Sequence, residues 1–214
     1  MDIIRTTPWE VGRLIFMHIT TRQDAIIIGS LLGDGCLEKN GKWTRLRLEH
    51  GHIQKSYLVW KYKELKSLVT GKVMTVRYFN KTRKLPYESF RMYTFSDKSL
   101  DFYRNKFYEN KKKIIPEDLA SLLTHPLSLA IWFMDDGYKR NDCNALRLST
   151  DSFTKDEQYM LQSILKNNFG VDSSVHKKGK YWNIYIPERE SKKFIALIKP
   201  YIIPELAYKI TLTP

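Results

Sequence analysis

Two stretches decide the fold: Ile27-Ile28-Gly29-Ser30-Leu31-Leu32-Gly33-Asp34-Gly35 and, 102 residues later, Leu129-Ala130-Ile131-Trp132-Phe133-Met134-Asp135-Asp136-Gly137. Each is an apolar helical run that ends in Asp-Gly, and the residues after each also match. Leu46-Arg47-Leu48 comes after Asp34, and Leu146-Arg147-Leu148 comes after Asp136 at nearly the same distance. Internal repetition fixes architecture before any local propensity does. Taken singly, an apolar helix closing on Asp-Gly is an ordinary terminator, because glycine commonly ends helices and aspartate is a frequent turn residue. The recurrence, in step with its neighbours, carries the information.

Outward from the two motifs, each half continues with a helix-like stretch, residues 57–69 (YLVWKYKELKSLV) and 159–169 (YMLQSILKNNF), with Gly71 and Gly170 in the C-cap position. Alternating hairpin sequence comes next, residues 73–80 with 89–96 and residues 173–176 with 181–187. The first hairpin has a long basic connection, residues 81–88, and the second a short one, Lys177-Lys178-Gly179-Lys180. Each half closes with a second helix, residues 98–108 or 191–201, and a basic segment ending at Lys113 or Lys209. The expected fold class is α+β, with helix, hairpin, helix, hairpin, helix occurring twice. The expected division is an N-terminal extension (residues 1–24), a first subdomain (25–120) and a second (121–214).

Strand alternation assigns faces. Leu46 and Leu48 point inward while Arg45, Arg47 and Glu49 point outward; Trp182, Ile184 and Ile186 share one face and Tyr181, Asn183 and Tyr185 the other. An antiparallel sheet with one solvated face is the expected context. A polar face of Arg, Lys, Tyr and Asn suits a nucleic-acid groove, which admits a two-stranded ribbon. It is equally compatible, strand by strand, with a merely solvated face.

Gly29 and Gly33 are four residues apart, so they share a helix face. Small residues at this spacing let two helix backbones approach closely. If the motif helices pack in parallel, Asp34 and Asp136 arrive side by side at two electronegative helix ends and need positive charge between them. A divalent metal held by acidic oxygens, on a basic protein, points to Mg²⁺ or Mn²⁺ and phosphodiester hydrolysis.

The two motifs resemble those of LAGLIDADG homing endonucleases in the single-chain, two-motif form. His125 to Gly137 and Lys199-Pro200-Tyr201-Ile202-Ile203-Pro204-Glu205-Leu206-Ala207-Tyr208-Lys209 are similar to the intron-encoded omega-intron endonuclease subfamily. The resemblance runs from about Ala25 to Leu212. It implies two αββαββα subdomains with saddle-shaped antiparallel sheets, related by a pseudo-twofold axis at the motif helices. It implies Asp34 and Asp136 as catalytic acids and metal ligands, with metal also held by the backbone carbonyls of Gly33 and Asp135. It further implies active-site lysines at Lys113 and Lys209, which lie 79 and 73 residues after their aspartates. Lys113 also reads as part of the charge run Lys111-Lys112-Lys113. The implied product is a double-strand break with short 3′ overhangs. The second motif departs from the pattern: Ile131 and Asp135 stand where the first has Gly29 and Gly33, so the helix contact is asymmetric and Ser128 or Ala130 becomes a candidate for the close approach.

Composition agrees with an anionic partner. The 214 residues hold 36 Lys plus Arg against 23 Asp plus Glu, a net charge of +13, and 43% hydrophobic content excludes a disordered basic tail. Residues 1–113 carry 23 of the basic and 11 of the acidic groups, so the first half should dominate salt-dependent binding. Candidate DNA contacts are Lys39, Arg45, Arg47, Arg77, Arg83, Lys84 and Arg91 in the first half and Lys139, Arg140, Arg147, Lys177, Lys178 and Lys180 in the second. Strands of 7 residues reach about 23 Å, so two halves cover about 14 base pairs of duplex. Cys36 and Cys143 make neither a disulfide framework nor a zinc motif and read as structural, His50 and His52 as turn or surface residues, and the five tryptophans as packing. The N-terminus lacks the pattern of a secretory signal and no apolar run reaches the length of a membrane span, so an intracellular setting, bacterial cytoplasm or organelle matrix, is expected. With both motifs in one chain, monomeric action is expected. Two other functions share the scaffold: an RNA-binding intron maturase, and a non-catalytic DNA-binding regulator that would have no reason to keep both acids.

Overall fold

The computed structural model describes residues 17–80 and 85–212. In chain order the first half contains α1 (Thr21–Leu32), β1 (Cys36–Asn40), β2 (Trp43–Gly51), α2 (Lys55–Glu64), β3 (Val69–Asn80), β4 (Leu85–Thr94) and α3 (Ser99–Phe107). A two-residue ladder, β5 (Tyr108–Glu109) with β6 (Lys112–Lys113), and a short α4 (Leu119–Leu122) lead into the second half. There α5 (Pro126–Asp136), β7 (Gly137–Lys139), β8 (Leu146–Leu148), α6 (Lys155–Phe169), β9 (Ser174–Lys178), β10 (Tyr181–Ile186) and α7 (Glu188–Ile198) repeat the order. The pattern αββαββα occurs twice, as expected.

Local chemistry starts and stops these elements. Thr20 caps α1 and Thr154 caps α6, each in a capping box with Gln23 or Glu157. His125 caps α5, with Pro126 in its first turn. Gly170 closes α6 with a left-handed φ of 66°. The first half does otherwise: α2 stops at Glu64, not at the expected Gly71, and the β-branched Val69 and Thr70 begin β3. Gly71 (φ 69°) sits inside that strand, where the register with β4 shifts between Thr70 and Met74. A left-handed residue there steps the strand past its partner, as in a bulge.

Each half has one antiparallel four-stranded sheet, ordered β1-β2-β4-β3 and β7-β8-β10-β9. In β2, Leu46 and Leu48 are buried while Arg45, Arg47 and Glu49 face outward. In β10, Ile184 and Ile186 are buried; Asn183 faces outward with Tyr185, yet is covered because Arg147 donates to its Oδ1 at 3.4 Å and the His176 and Tyr185 rings stack beside it.

The motif helices α1 and α5 join the halves. A Cβ built on Gly29 would lie 2.4 Å from the Ser128 carbonyl oxygen and 2.6 Å from Ile131 Cβ, and one on Gly33 would lie 2.5 Å from Asp135 Cβ. The contacts advance together along both chains, so the helices run parallel. The asymmetry expected from sequence is a one-sided fit: Gly29 of α1 and its cap residue Gly33 receive Ile131 and Asp135, and Ser128 takes part through its backbone. The helices are buried almost throughout and form the centre of a single continuous apolar core.

Candidate active site

Parallel packing brings both helix C-termini to one place. Asp34 follows the cap residue Gly33, and Asp136 is the last residue of α5. Desolvation pushes the half-buried Asp136 carboxyl up to about 8, helped by the negative charges of Asp34 and Asp135. Asp34 opens to solvent on one side, with its side chain 45% exposed, and is also raised by desolvation, with Asp135 again adding to it. Helix ends add partial negative charge of their own. The site thus disfavours the ionised form of both acids, which a bound cation would favour.

Two half-buried lysines face this charge. The turn Asn110-Lys111, both residues at positive φ, folds the β5–β6 ladder so that Lys113 Nζ donates to the carbonyls of Gly33 and Gly35, each at 2.8 Å. Lys111 and Lys112 are exposed, so Lys113 stands apart from its charge run. Lys209, on a 3-10 turn spanning Pro204–Ile210, donates to the Met134 carbonyl at 2.6 Å. Desolvation lowers the pKa of each ammonium, against the opposing pull of Asp34, Asp135 and Asp136. Each lysine thus engages free carbonyls at the end of a motif helix. The pairing is not symmetric, since Lys113 grips the carbonyl preceding Asp34 and Lys209 grips one residue further back from Asp136.

His50 is a correction. It is 3% exposed, its Nδ1 3.6 Å from Asp34 Oδ2 and its Nε2 3.9 Å from Asp135 Oδ1, while His52 is exposed as expected. Burial, then the charge of Lys61, lowers its pKa to about 4. The sequence signal existed: His50 continues the inward parity of Leu46 and Leu48. Lys61 was also missed; it is fully buried on the Tyr57, Leu58, Leu65 face of α2, with Nζ 2.8 Å from Asp135 Oδ1. Asp34, His50 and Asp135 place ligand atoms within 4.8 Å of one another. That trio does not fit a divalent ion, because the Lys61 ammonium already holds both Asp135 oxygens. The donors left are the Asp34 and Asp136 carboxylates and nearby carbonyls, hard oxygens that fit Mg²⁺ or Mn²⁺.

These shifts make stability depend on pH. Between pH 6.5 and 8 the folded state holds a proton on Asp136 that the unfolded chain has lost, so protonation favours the fold and stability falls as pH rises. Below about 6.5, His50 has the opposite sign, because the unfolded chain binds its proton first. In EDTA, the unfolding free energy should decline across pH 6.5 to 8 by up to about 1.4 kcal/mol per unit. Urea titrations at several pH values test this, and Asp136→Asn should flatten the decline.

Strand parity sorts the candidate DNA contacts. Arg45, Arg47 and Arg91 share the outward face of the first sheet, with Glu38 and Glu49 interleaved among them. Arg147 and Lys178 lie on the outward face of the second. Lys39, Arg77, Lys139 and Lys177 do not: each has the parity of core residues, Lys39 bonding Asp101 of α3 and Arg77 pairing with Glu88. Arg140 pairs with Asp142 in a loop, and Lys180 sits in the β9–β10 turn. Arg83 and Lys84 lie outside the described residues. Sequence reasoning passed over Tyr78 and Tyr87, an exposed ring pair 5.0 Å apart on the same face as Arg91. With Cys36, Arg47, Glu49, His50 and Ser89 they line a cleft that opens on Asp34. Among the described residues, no helix is long and apolar enough to cross a membrane.

Known proteins are similar to this chain over most of its length. Residues 24–194 match the model of the LAGLIDADG DNA endonuclease family. The chain is 32% identical over 193 residues to cytochrome b mRNA maturase bI2 of Debaryomyces hansenii, covering 86% of this chain and 72% of that protein. It is 31% identical over 212 residues to DNA endonuclease I-ChuI of Chlamydomonas applanata, covering 91% and 97%. The homing endonuclease I-WcaI bound to its DNA recognition sequence superposes with a TM-score of 0.86 at 30% identity, over 93% of this chain and 90% of that one.

Proposed function

The chain belongs to the LAGLIDADG DNA endonuclease family, and we propose that it is a site-specific homing endonuclease that acts as a monomer and cuts both strands of a long duplex in a divalent-metal-dependent reaction. The observation that carries this reading is the pair of desolvated acids, Asp34 and Asp136, at the ends of two parallel helices and flanked by Lys113 and Lys209. Asp34 and Asp136, with the backbone carbonyls of Gly33 and Asp135, would hold Mg²⁺ or Mn²⁺. Bound there, the metal supplies charge neutralisation at the scissile phosphate and at the leaving 3′ oxygen, and lowers the pKa of attacking water.

The chain's own residues do the rest, one strand per half. Lys113 and Lys209, held at the helix ends, offset negative charge developing on the phosphate without having to reorganise. Arg45, Arg47 and Arg91 on one sheet and Arg147 and Lys178 on the other bind and orient the duplex, the acidic partners Glu38 and Glu49 fixing the arginine side chains of the first. The setting is a compartment that holds DNA, bacterial cytoplasm or organelle matrix.

A randomised duplex library incubated with the protein and Mg²⁺, beside the same mixture in EDTA, tests this. Defined double-strand breaks with short 3′ overhangs, absent in EDTA, are expected. Binding without cleavage would favour a DNA-binding regulator. The similarity to a maturase supports a second reading, an intron RNA on the same scaffold; indifference to duplex DNA together with retention of a structured intron RNA would favour it.

A further inference from the structure

The site contains one charged pair that neither the acids nor the flanking lysines account for. Lys61 Nζ lies 2.8 Å and 3.2 Å from the two oxygens of Asp135, and both side chains are fully buried. Lys61 comes from the first half and Asp135 from the motif helix of the second, so the pair crosses between them. A buried ion pair is weak evidence of stabilisation, because desolvation offsets the attraction, but it is well suited to fixing register.

Asp135 Oδ2 also accepts the backbone N–H of Asp34 at 3.2 Å. That N–H lies just past the end of α1, where its neighbours Gly33 and Gly35 bond back to Gly29 and Ser30. The side chain of Asp34 meets the same cluster: His50 stands 3.3 Å from Lys61 Nζ and 3.6 Å from Asp34 Oδ2. Asp34 is therefore referenced to the opposite half at its main chain through Asp135, and its carboxylate meets the same cluster through His50.

The other half lacks this device. Gly33, the cap of α1, has the place in the first motif that Asp135 has in the second, and offers no carboxylate. His50 follows Leu46 and Leu48 in the first half as Thr150 follows Leu146 and Leu148 in the second, and Thr150 is hydrogen-bonded to Gln158 of α6, a neutral buried pair.

We propose that the Lys61–Asp135 pair is a positioning device for Asp34 alone, locking its main chain to the second motif helix so that the first-half cut depends on it and the second-half cut does so far less. This rests on the endonuclease reading for its kinetic consequence, while its structural consequence stands apart. Lys61→Met alone would leave a buried carboxylate uncompensated, so the useful variant is Lys61→Met/Asp135→Leu, which replaces the pair by apolar groups of similar shape. Lys61→Gln/Asp135→Asn keeps an acceptor for the Asp34 N–H without charge.

The first measurement is hydrogen exchange of the Asp34 amide in the protein alone. Protection should drop at least about tenfold in the apolar double variant and return in the Gln/Asn variant, with the core amides of α1 unchanged. Unaltered Asp34 exchange in the apolar variant would overturn the proposal, whether or not the protein cuts DNA. The second measurement uses the duplex target recovered from the library, labelled on each strand. The ratio of the two strand-cleavage rates should shift by at least about tenfold in the apolar variant, since a displacement of about 1 Å can cost two orders of magnitude. It should come back to within about threefold of wild type in the Gln/Asn variant. Equal slowing of both strands would overturn the proposal and assign the pair a purely structural role. A wild-type protein that cuts nothing would defeat the endonuclease reading and leave the exchange result to decide the positioning.

Discussion

Asp34→Asn and Asp136→Asn should each bind the target duplex with near-wild-type affinity and lose double-strand cleavage by about 10³-fold or more. Asparagine keeps the shape and one acceptor oxygen of the carboxylate but removes the charge that recruits a cation. At Asp136 the two effects separate in sign. Its carboxyl is pushed up to about 8, so in metal-free protein the ionised form opposes folding, and the neutral amide should make the protein more stable at pH 8 as it becomes inactive. Loss of activity through unfolding would show the reverse. Single-turnover cleavage of labelled duplex in Mg²⁺, binding in EDTA and urea unfolding at pH 8 measure the three quantities. Wild-type cleavage by either variant would remove that acid from the mechanism.

The repeated motif made the fold legible because each part of it constrains the others. A capped apolar helix, an Asp-Gly end and a Leu-Arg-Leu strand recur in both halves, and helix period and strand period agree with them. Lys113 and Lys209 are singled out by the family resemblance, and the structure places each at the end of a motif helix. What escaped was set by tertiary context. The end of α2 was misplaced because Gly71 serves a register shift inside a strand, and a glycine with positive φ does either job. His50 reads as a turn or surface residue beside Gly51, while strand parity places it inward with Leu46 and Leu48. Lys61 offers no such cue by itself, since a lysine on a helix is normally solvated and its burial is made tolerable by Asp135, 74 residues away. The candidate DNA contacts were chosen by charge, and parity then separated Arg91 from Arg77 and Lys178 from Lys177.

Gly29→Ala should destabilise the protein by roughly 2 to 4 kcal/mol and lower cleavage beyond what the unfolded fraction explains. In an exposed helix the change would help, since alanine is favoured over glycine by about 1 kcal/mol. Here the new methyl would stand 2.4 Å from the Ser128 carbonyl oxygen, a backbone atom that moves only if α5 moves. Trimming Ile131 to alanine would remove only its Cγ2, at 3.0 Å, and leave both its Cβ, at 2.6 Å, and the Ser128 oxygen. Gly33→Ala meets Asp135 Cβ at 2.5 Å and Oδ2 at 2.7 Å, so it should displace the carboxylate that receives the Asp34 N–H as well as part the helices. The same interface that closes the core also sets the separation of Asp34 from Asp136, so relaxation that accommodates a methyl comes at the expense of catalytic geometry. Urea midpoints and single-turnover rates on the same samples test this coupling. A Gly29→Ala protein that loses less than about 1 kcal/mol and cuts at the wild-type rate would mean that the helices can separate without moving the acids.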